Sequence, residues 1–283
     1  MRYKGVWLSQ VNKIMKLFRI INITFLFSLF LISEVYSAVY NATTSASTYK
    51  ITITRIELCE TGSTTASCTS PIAIYDGGDS GLIDIASTTA GATAASLGNL
   101  NKATIGTSYT YMQVTMKRAV TISGGGSALS TSGQACYTNG TAGTSSKGAL
   151  GSVTSTDEAD TVVFMGVPGS TGGSDNTNST TAGDGTGTDS ATGAFDSGDD
   201  YMEWRGALAS TFILKAGKIP TAKLAFGFSS ALGFYNTNTT TCDCDTRAAG
   251  AGNNAHGFYA AEPSVTITPV SYTHLTLPTI YSV

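Results

Sequence analysis

The sequence predicts an all-β protein, an antiparallel β-sandwich whose strands are joined by long loops rich in Gly, Ser and Thr. Three observations favour this class: apolar and polar residues alternate in several short runs, 32 of the 283 residues are glycine, and few segments have helical periodicity. The hydrophobic fraction of 41% is enough for a core of this size. The charged fraction of 12% excludes a basic nucleic-acid-binding surface and a coiled coil.

The strands are predicted from a period of two. Residues 49–58 read YKITITRIEL, and a phase change near Thr54 and Arg55 indicates a β-bulge. Residues 108–122 read SYTYMQVTMKRAVTI and predict a long strand with one buried face and one wet face. The buried face holds Met112, Val114, Met116, Val120 and Ile122, and the wet face holds Tyr109, Tyr111, Gln113, Thr115 and Lys117. Further strands are predicted over residues 72–75, 82–86, 161–167, 207–214, 222–228 and 264–268.

Two segments are candidates for helices. Residues 88–97 are rich in alanine, and residues 201–209 could form a short helix before the strand predicted at 207–214. Neither repeats apolar residues at helical spacing for long, so both remain minor elements of an all-β fold.

The N-terminal region predicts a secretory signal peptide. Residues 15–38 read MKLFRIINITFLFSLFLISEVYSA, in which Lys16 and Arg19 precede an apolar run that is short for a membrane span. Cleavage is expected after Ser37 or Ala38, and Met15 is an alternative start. We therefore assign residues 1–37 to the signal peptide and 38–269 to a secreted domain. An uncleaved N-terminal anchor is the alternative.

The last fourteen residues have a different character. Residues 270–283 read VSYTHLTLPTIYSV, which resembles a translated sequencing adapter, so we expect an artefactual tail that bears on no function. Removal of residues 1–37 makes the chain more acidic. These residues hold five of the 16 basic and one of the 19 acidic residues, which leaves 11 basic and 18 acidic residues in the secreted part. An acidic exported protein fits that balance, and insertion of the mature domain in a membrane is not expected.

All five cysteines lie beyond the predicted signal, which favours disulfides in an oxidising compartment. Cys59 and Cys68 bracket a short polar loop and are predicted to pair. Cys136 pairs with Cys242 or Cys244; we assign Cys242 and keep Cys244 as the alternative. That bridge would close a loop of about a hundred residues and contribute about 4 to 5 kcal/mol in the chain-entropy model. A metal site is disfavoured because no second pair of ligands has suitable spacing.

A tract without positive charge is the most unusual feature. Residues 148–204 contain ten acidic residues and no Lys or Arg, and about 170–200 is nearly free of large apolar residues. We expect a mobile surface loop there. The tract could bind calcium, because carboxylates in a Gly-containing loop suit a hard cation. The candidate ligands are Asp184, Asp189, Asp196, Asp199 and Asp200.

The sequence predicts no catalytic residue and no enzyme. Gly78-Asp79-Ser80-Gly81 resembles the nucleophile region of trypsin-like proteases, but His256 lies far after Ser80, so we interpret the tetrapeptide as a turn. The sequence does not exclude a hydrolytic site made of two carboxylates from distant loops. His256 is interpreted as an exposed loop residue, and His274 lies in the tail.

Aromatic residues suggest a binding alternative. Tyr109, Tyr111, Tyr201 and Trp204 could stack on a sugar or contact another subunit, whereas the simpler interpretation places them in the core. A small outer-membrane β-barrel is the structural alternative to the sandwich, and residues 218–235 are the part most like a barrel hairpin.

Three stretches, TYKITITRIELC, SYTYMQVTMKRAVTISG and EPSVTIT, together with the signal peptide, resemble those of uncharacterised secreted β-sandwich proteins from planktonic bacteria. The resemblance covers about half of the mature chain and implies a fold without site residues. We expect a non-enzymatic protein that is secreted, periplasmic or on the cell surface, with a structural or adhesive role. The alternative is a calcium- or carbohydrate-binding module. The candidate partners are further copies of the chain or a surface glycan.

Overall fold

The computed structural model describes residues 40–87, 97–126, 135–144, 147–165, 179–181, 200–236, 244 and 257–273. The chain divides into two units, Met1–Ser37 and Ala38–Val283, and every described residue lies in the second. Two single-turn 3-10 helices, Leu100–Lys102 and Ser155–Asp157, are the helices in this part, and the rest of its regular structure is β. The predicted all-β class is confirmed.

The strands of the described residues are short except for four that reach ten residues or more. They are β1 (Tyr40–Thr44), β2 (Thr48–Ile51), β3 (Ile53–Glu60), β4 (Ile72–Tyr75), β5 (Ile83–Asp84), β6 (Ser108–Lys117), β7 (Ala119–Ser123), β8 (Gly125–Gly126), β9 (Cys136–Thr138), β10 (Gly151–Ser152), β11 (Thr161–Phe164), β12 (Ser179–Thr181), β13 (Tyr201–Ile213), β14 (Lys218–Gly227), β15 (Leu232–Asn236), β16 (Gly257–Ala260) and β17 (Ser264–Thr273).

The largest sheet has the order β14-β17-β13-β6-β3-β4, and β12 also pairs with β13. Its neighbours are antiparallel except β13 and β17, which run parallel where Leu208 faces Ile267. A four-stranded sheet, β11-β7-β2-β5, and two three-stranded sheets, β1-β15-β16 and β10-β9-β8, complete the fold. Several antiparallel sheets therefore cover a common core in a sandwich-like arrangement.

The core follows from the alternation in the sequence. Met112, Val114 and Met116 of β6 are buried, and Val120 and Ile122 of β7 continue the same apolar row, as predicted. Tyr49 and Ile51 of β2 belong to the same buried cluster. The aromatic residues of β15 and β16 are divided between this cluster and a second, smaller one. Each large apolar side chain that is buried contributes about 1.5 to 3 kcal/mol of transfer free energy.

Two irregularities change which face a residue occupies. The register of β3 against β6 slips between Ile53 and Arg55, which confirms the predicted bulge. A second slip lies at Thr110, where β6 loses register with both β3 and β13. The prediction that Tyr109 is on the wet face is therefore wrong, because the slip turns Tyr109 into the core, where it is 1% exposed.

The helix considered at residues 201–209 is also wrong. These residues form the first part of β13, whose partners on β6 run from Lys117 to Tyr111. Cross-strand packing against a long neighbour outweighs the helical preference of Met202, Ala207 and Leu208. The other helix candidate lies outside the described residues except for Leu97.

Seven of the described strands have no counterpart among the strands predicted from sequence. They are β1, β15 and β16, which pair with one another, and the two- and three-residue strands β8, β9, β10 and β12. The four residues from Val270 to Thr273 of the predicted tail extend β17 against Thr221–Lys218 of β14. Residues 274–283, including His274, lie outside the described residues.

The described residues contain two disulfides, one across a short loop and one between segments far apart in sequence. Cys59 and Cys68 are bonded as predicted, with Cα atoms 5.1 Å apart. Cys136 is bonded to Cys244, with Cα atoms 5.7 Å apart, so the assignment of Cys242 is wrong and the alternative is correct. The cause is local pairing: the carbonyl of Cys244 accepts a hydrogen bond of 2.7 Å from Gly151 of β10, the strand next to Cys136 on β9. Cys242 itself lies outside the described residues.

Candidate functional site

The predicted calcium ligands are mostly beyond what the structure describes. Asp184, Asp189, Asp196 and Asp199 lie outside the described residues, and Asp200 immediately precedes β13, where its carbonyl accepts a hydrogen bond of 2.9 Å from Arg118. The described ranges contain no group of three or more His, Cys, Asp or Glu side chains that could hold a metal ion. The calcium site therefore stays a prediction, and His256 is likewise outside the described part.

Gly78-Asp79-Ser80-Gly81 lies in the connection between β4 and β5, where the chain bends at Gly78, and Gly78 and Gly81 adopt φ values of 78° and 74°. The amide of Ser80 donates a 2.9 Å hydrogen bond to the carbonyl of Ile53, and the Ser80 hydroxyl oxygen accepts one of 3.0 Å from the Ile53 amide. Asp79 forms an ion pair with Lys117. Ser80 therefore links a loop to the start of β3.

A polar surface on the largest sheet is the strongest candidate for a functional site. Side chains directly opposite one another on adjacent antiparallel strands share a face, and the register brings together three strands here. We call this surface the polar face; its residues are Arg55 and Glu57 of β3, Tyr111, Gln113, Thr115 and Lys117 of β6, and Tyr201, Glu203 and Arg205 of β13.

Gln113 is at the centre of the polar face, between its register partners Glu57 and Arg205. Its Nε2 donates a hydrogen bond of 2.6 Å to Glu57 Oε2 and a longer one of 3.5 Å to Glu203 Oε1. Its Oε1 accepts a hydrogen bond of 2.5 Å from Arg205 Nε. Glu57, Gln113 and Arg205 are buried, with exposures of 4%, 6% and 8%. Their mutual hydrogen bonds offset the cost of removing them from water.

The charges of the polar face balance. Glu57 Oε1 lies 2.7 Å from the guanidinium of Arg55, and Glu203 forms an ion pair with Arg205. Two carboxylates near one amide nitrogen could in principle serve acid–base chemistry. Here each carboxylate is already engaged by an arginine and by Gln113, which is the arrangement of a structural network.

Aromatic residues border this network only in part. Tyr111 and Tyr201 are half-buried on the polar face, about six residues apart along β6 and therefore about 20 Å apart. Trp204 belongs to the buried cluster, at 7% exposure, and its indole Nε1 donates a hydrogen bond of 2.5 Å to Glu262. The simpler interpretation, that these aromatics are core, is therefore right for Tyr109 and Trp204.

A second group of polar contacts connects the four-stranded sheet to its surroundings. The buried hydroxyl of Tyr49 donates a hydrogen bond of 3.0 Å to the carbonyl of Ala261, and burial raises the pKa of Tyr49. Asp160 forms an ion pair with Lys50 and accepts a hydrogen bond of 2.7 Å from Thr48. Hydrogen bonds from Lys50 and Thr48 lower the pKa of Asp160.

The chain matches no known protein family, no curated protein and no solved structure. None of the helices in the described ranges is long and apolar enough to cross a membrane. The two disulfides are compatible with an extracellular protein.

The sequence predicts Gln113 on a wet face and does not connect it with Glu57, Glu203 or Arg205. That prediction is wrong, because Gln113 is buried and hydrogen-bonded to side chains of the two neighbouring strands. One sequence feature does indicate such a network: charged residues two positions apart on an otherwise apolar strand lie on the same face, as Arg55 and Glu57 do in β3. Without the register, nothing in the sequence indicates that these strands are neighbours.

Proposed function

We propose that the chain is an exported, non-enzymatic protein of the periplasm or cell surface, with a structural or adhesive role. The observation that supports this most is the pair of disulfides, Cys59–Cys68 and Cys136–Cys244. Disulfides form and persist in oxidising compartments and are rare in the cytosol. The predicted signal peptide and the acidic balance of the remaining chain agree with export.

Expression of the full chain in a bacterial host, with fractionation and counting of reactive thiols, tests export. The exported protein should lack residues 1–37 and carry one reactive thiol, that of Cys242. A variant without residues 2–37 should stay in the cytosol with all five thiols reduced. Full-length protein recovered from the cytosol with reduced thiols would contradict the proposal.

The non-enzymatic part is tested separately. Purified exported protein should not hydrolyse panels of polysaccharides and chromogenic esters above the rate of a heat-denatured sample. Glu203→Gln is the informative variant, because Glu203 is the more exposed carboxylate of the polar face, at 25%. Hydrolysis that disappears in Glu203→Gln would identify an enzyme and overturn this part.

A second candidate function is binding of an extended glycan, which the half-buried Tyr111 and Tyr201 on one polar face favour. Calorimetry with cellohexaose and chitohexaose would test it. Binding that is lost in both Tyr111→Ala and Tyr201→Ala, and kept in Tyr75→Ala, would support it, because Tyr75 pairs with Ile56 on the other face of the sheet. No heat of binding with either oligosaccharide would remove it.

A further inference from the structure

The edge of the largest sheet offers the longest row of backbone groups that has no strand beside it in the described part of the chain. β14 has ten residues, ends the strand order, and pairs with β17 on its other side. Every other edge strand among the described residues has five residues or fewer. An unpaired edge of this length is a template for pairing with another strand.

Exposure indicates where the edge is open. Lys223, Leu224 and Ala225 are consecutive and all exposed, and Leu224 keeps 45% of its surface in contact with solvent. Successive side chains of a strand point to opposite faces, so three consecutive exposed residues mean that neither face of β14 is covered there. Pro220 is buried and has no N–H, so it cannot donate to an added ladder.

We infer that β14 pairs antiparallel with β14 of a second copy of this chain, with Leu224 facing Leu224 across a two-fold axis. This inference rests on the proposed structural role and names its partner. The part of β14 after Pro220 runs from Thr221 to Gly227, and Leu224 is its midpoint.

The register about Leu224 fits the side chains of the strand. Leu224, the most apolar exposed residue of β14, is covered by its own counterpart, and Lys223 faces Ala225. A register one residue earlier would place Lys223 opposite Lys223, and like charges directly opposite destabilise a strand pair. Seven residues in this register form about six to eight hydrogen bonds between the copies.

The interface is small, so the dimer is weak, with a Kd on the order of 0.1 mM. Sedimentation velocity of the exported protein with both disulfides intact, from about 10 µM to about 1 mM, should show a monomer that becomes a dimer. Leu224→Lys should weaken dimerisation at least about tenfold, because it puts two like charges on the axis. Leu82→Lys, which charges another exposed leucine outside β14, should dimerise like the wild type.

Crosslinking tests the register independently. In a Cys242→Ser background, Leu224→Cys should form a disulfide-linked dimer on mild oxidation, because directly opposite residues are about 4.5 to 5.5 Å apart. Thr221→Cys should not, because its counterpart would be about 20 Å away. A wild type that stays monomeric throughout, or a dimer unaffected by Leu224→Lys, would overturn the inference. Both disulfides are verified before these measurements, so either result would contradict the dimer without contradicting export. Recovery of reduced protein from the cytosol would instead contradict the proposed function.

Discussion

Arg205 Nε donates a hydrogen bond of 2.5 Å to Gln113 Oε1, although the two residues are 92 positions apart in the sequence. Through this contact a single neutral amide connects the Arg205–Glu203 ion pair to the Arg55–Glu57 ion pair. The polar face is thus one network across β3, β6 and β13. Because Gln113 is central, its loss would remove the hydrogen bonds that join the two ion pairs.

Gln113→Ala should lower the free energy of unfolding by about 2 to 4 kcal/mol, because the buried side chains of Glu57 and Arg205 each lose a hydrogen bond without access to water. Urea denaturation followed by circular dichroism measures this. Asn101→Ala, at an exposed amide of a 3-10 helix, is the control and should change stability by less than about 0.5 kcal/mol. A change for Gln113→Ala as small as that of the control would mean that the network contributes nothing to stability.

Substitution of Cys244 and of Cys242 should have different effects on stability. Cys244→Ser should cost about 5 kcal/mol in the chain-entropy model, because the bridge spans a sequence separation of 108. Cys242→Ser should leave stability unchanged and remove the one reactive thiol. Urea denaturation and thiol titration of both variants distinguish them. The opposite pattern, with Cys242→Ser destabilising, would mean that Cys136 pairs with Cys242.

Tyr49 should make stability sensitive to alkali. Burial, and secondarily the charge of Glu262, raise its pKa in the folded state, while in the unfolded state the pKa is about 10. Above pH 10 the unfolded state therefore loses a proton that the folded state keeps, and the free energy of unfolding falls as pH rises. At and below pH 9 this contribution is fully present.

Tyr49→Phe tests that linkage. At pH 8 it should cost about 1 kcal/mol, for the hydrogen bond to Ala261. Between pH 10 and 11.5 its stability should fall less steeply than that of the wild type, by up to about 1.4 kcal/mol per pH unit. Denaturant unfolding at four pH values gives both slopes. Parallel slopes would show that Tyr49 ionises alike in both states.

Much of the fold could be predicted because long strands with one buried face leave an alternating pattern, as in Met112, Val114 and Met116 of β6. The strands β15 and β16 left no such pattern, because every residue with described burial in them is buried and glycine occurs in both. Tyr109 was misplaced because a bulge reverses the face without any change in composition.

The site was less predictable for a different reason. Glu57, Gln113 and Glu203 are neighbours only through the register of three strands that are far apart in sequence, and one sequence carries no information on which strands are adjacent. The acidic tract drew attention by composition, yet Glu203, near its end, is neutralised by Arg205 just beyond it. A charge count along the chain cannot detect that pairing.

Replacing a glycine of positive φ by alanine should lower the free energy of unfolding by an amount that depends on the atoms around that glycine. Gly257 has a φ of 127°, and a Cβ built there would lie 2.4 Å from the carbonyl oxygen of Ala149, a backbone atom that cannot rotate away. Gly78 has a φ of 78°, and a Cβ there would have no atom within 4 Å. Both substitutions by alanine incur backbone strain, but only one also creates a collision.

Gly78→Ala should therefore cost about 1 to 2 kcal/mol, the strain of a left-handed residue. Gly257→Ala should cost about 3 kcal/mol or more, because relieving the collision requires β16 to move away from Ala149 and break the paired hydrogen bonds of 2.7 and 2.9 Å between Ala149 and Phe258. Urea denaturation of both variants gives the comparison, and amide hydrogen exchange at Phe258 reports the local change. Equal costs, with unchanged exchange at Phe258, would mean that the contact between β16 and Ala149 is looser than its geometry requires.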